Sequence, residues 1–261
     1  MRTVIVSAVT STEVQTLAVL SHEGTYPILY GTWPLPVGSE HRDGYIARPD
    51  EAGRFPVVIV VPGIGGMGSL EKDICRRFAR SGLAAISLDS YRTGGDALTS
   101  YSGLSDDRAV ADLEEVHEFI VSDNVDWNVS GDVGVMGTDI GGRFALIKAA
   151  TRDWVKSIAI CYTPLTGDEE REHQVADYLD HLPVPVLGLY GSNDDLIDPA
   201  SVDEAQGRND HGQWLLYENA AHGFLDIEAA GFDQSAADDA FARLTAFFEA
   251  TLPEAAIENL G

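Results

Sequence analysis

The feature that most constrains this chain is a change of rhythm near residue 56. From there on, continuous apolar runs alternate with segments of helical period. The runs are Val57 to Val61, Ala84 to Leu88, Val133 to Met136, Ser157 to Cys161, Val186 to Tyr190 and Trp214 to Tyr217. A strand that is apolar at every residue must be buried on both faces, which happens when helices cover both sides of a parallel sheet. Between the runs, Leu70, Ile74 and Phe78 recur every three or four residues, as do Val110, Leu113, Val116 and Ile120, and later Ala237, Phe241, Leu244 and Phe248. That spacing predicts amphipathic helices. Ahead of residue 56, Thr16 to Leu20, Tyr26 to Tyr30 and Gly44 to Ala47 are short pieces separated by Gly-containing and Pro-rich turns, as in an antiparallel hairpin or meander. The expected fold class is therefore α/β, a mostly parallel sheet of about eight strands flanked by helices, with antiparallel strands at the N-terminal edge and no cap domain. No repeat, low-complexity block or linker divides residues 1–261, so they are expected to form a single domain.

Composition narrows the function. Against 42 Asp and Glu stand 17 Lys and Arg, a formal charge of -25. Phosphate backbones and anionic lipid surfaces would repel such a chain, so neither nucleic acid nor a membrane is expected as a partner. Lysine is confined to Lys72, Lys148 and Lys156, a scarcity that fits a salt-adapted host or a biased genome. Cys75 and Cys161 lie far apart without the spacing of a disulfide framework or a zinc site. The apolar stretch after Met1 is too short and interrupted for a secretory signal. The expectation is a cytoplasmic protein, monomeric or homodimeric, that acts on a small molecule without metal or cofactor.

The chemistry concentrates in the second half. The segment from Asp132 to Leu146 reads as strand, sharp turn and helix, with Gly137 and Gly141 two positions either side of Asp139. A nucleophile elbow needs that arrangement, because a turn tight enough to expose one side chain leaves no room for neighbouring Cβ atoms. Downstream, Asp194, Asp195 and Asp198 follow the run ending at Tyr190, and His222 follows the run ending at Tyr217. The order is nucleophile candidate, acid, then base. Spacing from Gly191 favours Asp194 as the acid, leaving the other two as solvated loop acids or caps for a helix beginning near Pro199.

A competing pattern is Gly63, Gly65 and Gly68, a G-x-G-x-x-G between a buried strand and a helix, with Asp89 ending the next strand. Alone, this is a dinucleotide-binding fingerprint. It follows Pro62 on a strand that is not the first, however, and leaves the elbow, acid and His unexplained. The remaining histidines (His22, His41, His117, His173, His181 and His211) lack ligand spacing, and the face Asp106, Asp107, Asp112, Glu114, Glu115 reads as solvated surface.

Taken in order, Tyr45 to Pro49, Val60 to Gly66, Leu88 to Arg92, the elbow, Tyr190 to Asp194, Ala221 to Phe224 and the closing Phe247 and Phe248 resemble the α/β-hydrolase superfamily, and within it the dienelactone hydrolase group. The resemblance implies that Asp139 occupies the nucleophile position, His222 that of the base and Asp194 that of the orienting acid. It places the oxyanion hole at the backbone N–H groups of Ile64 and Ile140, and matches Arg92 to a substrate-binding Arg within one position. Tyr91 and Tyr162 are further candidates for contact with substrate. Three positions depart from the group: Asp139 stands for its Cys, Gly63 for a Glu that helps activate the thiol, and Asp226 for an Arg that holds a substrate carboxylate. An apical Asp is familiar from dehalogenases and epoxide hydrolases of the same superfamily, where the carboxylate attacks carbon. Those families usually insert a cap between the strands that are here Ser157 to Cys161 and Val186 to Tyr190, and commonly carry a halide-binding Trp where this chain has Ile140. The reading that follows is a hydrolase that opens an epoxide or activated lactone through an Asp139 ester. The alternatives are an ester or lactone hydrolase with Asp139 as general base, an inactive or non-hydrolytic relative, and a dinucleotide-binding protein.

Overall fold

The computed structural model describes residues 4–5, 16–17, 24–37, 40–90, 102–166 and 170–257. Two short strands, β1 (Val4–Ile5) and β2 (Thr16–Leu17), form an antiparallel pair. The main sheet has nine strands: β3 (Ile28–Val37), β4 (Glu40–Pro49), β5 (Gly53–Val61), β6 (Ala84–Leu88), β7 (Asn128–Thr138), β8 (Val155–Cys161), β9 (Val186–Gly191), β10 (Gln213–Tyr217) and β11 (Ala256–Ile257). Its order is β10-β9-β8-β7-β5-β6-β4-β3, with β11 antiparallel on β5. Pairing is parallel from β6 through β5, β7, β8 and β9 to β10, and antiparallel where β4 meets β6 and β3 meets β4. This is the mostly parallel α/β sheet with an antiparallel N-terminal edge that the apolar runs require.

Every residue of β6 and β9 is buried, as are Val57 to Val61 of β5. Helices on both sides account for it. On one face α1 (Ser69–Arg80) and α5 (Gln234–Thr251) meet through Phe78 and Phe248, packed edge to face at 5.5 Å. On the other, α2 (Asp106–Ile120) is tied to the elbow helix α3 (Gly141–Thr151) by the Lys148–Glu114 ion pair. A fifth helix, α4 (Pro199–Arg208), separates β9 from β10. Between β8 and β9 the described residues contain a single 3-10 helix, Val175–His181, and no cap domain. Among the described residues, no helix is long and apolar enough to cross a membrane.

Two readings are corrected. Pro34 and Pro36 lie inside β3, opposite Asp43 and His41, and do not mark a turn between strands. Among the described residues β3 is the outermost strand, where a missing N–H breaks no ladder. The acidic face of α2 is not wholly solvated either, because Asp106 and Asp112 are fully buried. Asp106 accepts hydrogen bonds from Arg143 of α3 (Nε 2.9 Å, Nη2 2.6 Å) and from Arg171 Nε (2.8 Å). Asp112 pairs with Arg42 at 3.0 Å and Arg108 at 2.8 Å. A buried carboxylate is tolerated when cations and N–H donors surround it, and here all the named partners except Arg108, which is on α2 itself, come from distant segments.

Candidate active site

The site is built where β7 turns into α3. Asp139 has φ +49°, a left-handed conformation uncommon for a residue with a side chain. The surrounding backbone enforces it. A Cβ on Gly137 would lie 2.3 Å from the carbonyl carbon of Gly141, and one on Gly141 would lie 2.3 Å from Val61 O. The Asp139 N–H donates to Cys161 O at 3.0 Å, fixing the apex to the end of β8.

The Asp139 carboxylate divides its oxygens between two surroundings. Oδ2 accepts the Ile64 N–H at 3.0 Å, whereas Oδ1 faces His222 Nε2 at 3.7 Å, beyond hydrogen-bond length. Gly63 makes the first contact possible. A Cβ there would sit 3.0 Å from Asp139 Cβ and 3.2 Å from Oδ2. The two departures at 63 and 139 are thus in contact, and the absence of a side chain at one leaves room for the carboxylate of the other. Ile140 precedes the first turn of α3, and N–H groups at a helix start lack partners within the helix.

His222 lies in the loop after β10. Its Nδ1 donates to Asp194 Oδ2 at 2.9 Å, so the carboxylate acceptor fixes the proton on that nitrogen and leaves Nε2 toward Asp139. Asp194 is itself held rigidly: Oδ1 accepts the N–H groups of Leu196 (2.8 Å) and Ile197 (3.1 Å), and the side chain is 1% exposed. Of the competing acids, Asp195 is exposed and Asp198 caps α4 by accepting the Ala200 N–H at 2.9 Å. Burial works against a charged His222 ring, but the carboxylates of Asp139 and Asp194 outweigh it, and the net pKa is raised above that of an ordinary imidazole.

The structure therefore brings together Asp139, His222, Asp194 and the Ile64 N–H, with Ile140 next to the apex. Tyr162 joins them, its ring edge-on to His222 at 5.0 Å. Tyr91 and Arg92 lie outside the described residues. The glycine-rich loop does not suit a pyrophosphate, since its Ile64 N–H is taken by Asp139 and its Met67 N–H points at Asp89 Oδ1, 3.4 Å away. Among the described residues, no group of three or more His, Cys, Asp or Glu is placed to hold a metal ion. What the sequence reading missed is the contact between Gly63 and Asp139; its signal was that both positions depart from the resembled pattern together.

A model of the dienelactone hydrolase family matches residues 42–252. The chain belongs to the dienelactone hydrolase family. A relative from Escherichia coli (strain K12), an inferred carboxymethylenebutenolidase, is 31% identical over 242 residues, covering 85% of this chain and 87% of its own. An inferred carboxymethylenebutenolidase from Methylorubrum extorquens is 28% identical over 239 residues, covering 85% of this chain and 81% of its own. Among solved structures, an inferred dienelactone hydrolase from Klebsiella pneumoniae superposes with a TM-score of 0.77 at 28% identity, covering 85% of this chain and 98% of that one. A dienelactone hydrolase-like promiscuous phosphotriesterase from metagenomic libraries shares the fold at TM-score 0.69 and 20% identity, covering 87% and 99%. The dienelactone hydrolase family match spans every element that carries the site, from β4 to the end of α5.

Proposed function

We propose that this dienelactone hydrolase family member opens a small electrophilic substrate, an epoxide or activated lactone, by attack of Asp139 Oδ1 on carbon. The observation that carries this reading is the seat of the carboxylate. Oδ2 already sits on the Ile64 N–H, where a negative oxygen would need to be stabilised, while Oδ1 is left on the His222 side. A carboxylate is ionised at neutral pH and needs no base to activate it. Its attack on an ordinary ester carbonyl would give a high-energy anhydride, whereas attack on a saturated carbon gives a stable ester.

In the first half, Oδ1 forms a bond to carbon and the substrate C–O bond breaks. The electron pair stays on the departing oxygen, which takes the Nε2 proton of imidazolium His222. Its two carboxylate neighbours raise the pKa of that ring despite its burial, which favours the imidazolium form that gives up this proton. In the second half, neutral His222 takes a proton from water as the water attacks the ester carbonyl. The oxyanion forms at Oδ2, facing the N–H groups of Ile64 and Ile140, where each donor in comparable holes contributes about 100- to 1,000-fold in rate. Collapse releases the alcohol, which takes its proton from His222; the acid proton left on Asp139 then passes to His222, restoring the carboxylate, now with one oxygen from water, and the imidazolium.

Single turnover in heavy-oxygen water tests this. Labelled oxygen is expected in the peptide that contains Asp139, and an unlabelled peptide after full turnover removes the covalent route. A second reading is an ester or lactone hydrolase in which Asp139 is general base to a directly attacking water. That reading predicts the unlabelled peptide.

A further inference from the structure

The residue after β8, Tyr162, is built in a way that packing does not explain. It has φ +40°, a left-handed backbone uncommon for a bulky side chain. Its N–H is held by Leu189 O at 2.8 Å, and its ring lies edge-on between His222 at 5.0 Å and Phe224 at 5.6 Å. The residue is 3% exposed, yet its buried hydroxyl has no hydrogen-bond partner among the described residues. Buried hydroxyls are rarely left unsatisfied, and one carried by a strained residue whose ring packs on the site's histidine points to a partner that arrives with the reaction.

We propose that the Tyr162 hydroxyl donates a hydrogen bond to the substrate oxygen that is expelled from carbon, so that the natural substrate releases an alkoxide and not a halide. This rests on Asp139, His222 and Asp194 forming the site, but not on which group attacks. The hydroxyl keeps its proton throughout; the departing oxygen takes its proton from His222, and no bond to Tyr162 forms or breaks. Burial, with Cys161, Glu71, Asp139 and Asp226 nearby, pushes the Tyr162 pKa well above that of an ordinary phenol, so it remains a donor at any pH where the enzyme works. Tyr190 supplies an internal control. It too is fully buried with an unpartnered hydroxyl, but its ring stacks on Trp214 in the sheet.

The test compares Tyr162→Phe and Tyr190→Phe with wild type on styrene oxide, which releases an alkoxide whichever group attacks, on δ-valerolactone, which releases one when its carbonyl is attacked by water, and on p-nitrophenyl acetate, whose leaving group needs no such help. Tyr162→Phe is expected to lose about 10- to 100-fold in kcat/KM on the alkoxide-releasing substrates and less than about threefold on p-nitrophenyl acetate. Its Tm should stay or rise, because the deleted hydroxyl had no partner to lose. Tyr190→Phe should keep activity on all three. An equal loss on every substrate, no loss, a lowered Tm, or wild type that turns over neither alkoxide-releasing compound overturns the proposal. Heavy-oxygen labelling of Asp139 in the same variants reports separately on the covalent step, so either idea can fail alone.

Discussion

Gly63→Ala is the smallest change that tests whether the seat of the Asp139 carboxylate matters. The φ of Gly63 lies outside the left-handed region, so the backbone accepts alanine. The added methyl is the difficulty. It would lie 3.0 Å from Asp139 Cβ, 3.2 Å from Oδ2 and 3.4 Å from Thr138 O, against about 3.5 to 4.0 Å for relaxed carbon contacts. Thr138 O belongs to the end of β7 and the elbow is clamped by glycine contacts, so the carboxylate is the part that can move. A shift of several tenths of an ångström away from position 63 would stretch the 3.0 Å bond to the Ile64 N–H past useful length. Losing one such donor costs about 2.7 to 4 kcal/mol in the transition state, or about 100- to 1,000-fold in kcat. Stability should change little, since an overpacking cost of about 1 to 3 kcal/mol is offset in part by about 0.4 to 1 kcal/mol from a less flexible unfolded chain. The assay is steady-state kcat and KM with calorimetric Tm, and the expected pattern is a collapse in kcat with KM and Tm nearly constant. Wild-type kcat in a folded Gly63→Ala protein would refute the reasoning, because the carboxylate would then have slack in its seat.

Three further outcomes follow from the geometry. Asp194→Asn, which cannot keep both the His222 contact and its two backbone N–H donors satisfied, should reduce kcat by about 100- to 10,000-fold and lower the His222 pKa, measured by kinetics and by NMR. In wild type the His222 pKa should titrate above about 6.5 and fall in Asp139→Asn; since the folded value is the raised one, this ring's contribution to stability is full below the unfolded pKa and fades as pH rises through the folded one, which urea melts across pH 5 to 9 would reveal. Asp106→Ala leaves Arg143 and Arg171 without their shared carboxylate in a buried setting and should cost about 3 to 5 kcal/mol by denaturant unfolding, with loss of less than about 1 kcal/mol overturning that view of the cluster.

Much of this architecture can be read from residues in order, and the exceptions have physical causes. The apolar runs from Val57 to Tyr217 declare the parallel strands because a doubly covered strand has no polar face. Helix α3 was legible only from the glycine-flanked turn before it, since Gly141 to Ala149 are all buried and leave no polar stripe to give a period. β3 hid behind Pro34 and Pro36, whose usual meaning is interruption, because nothing in the local text marks a strand as outermost. Asp106 and Asp112 looked solvated because partners that neutralise them lie far off in the chain, Arg143 at 37 residues from Asp106 and Arg42 at 70 from Asp112, with only Arg108 of Asp112's partners on the same helix. The site follows the same division. The elbow, acid and His announce themselves by local spacing, whereas the fit of Gly63 against Asp139 is a contact between loops that only the folded sheet brings together.

The two prolines of β3 also bear on how this protein behaves in crowded solution. They stand two residues apart, so their missing donors lie along one side of the strand, and since β4 takes the other side, the gap faces outward. An incoming strand from another copy would find no hydrogen at two consecutive rungs, just past the exposed Leu29, Tyr30 and Trp33 that would otherwise welcome it. The sheet can thus carry apolar side chains on its rim without templating its own extension into fibres. Replacing Pro34 and Pro36 by valine would leave the fold intact while turning a closed boundary into a growing end.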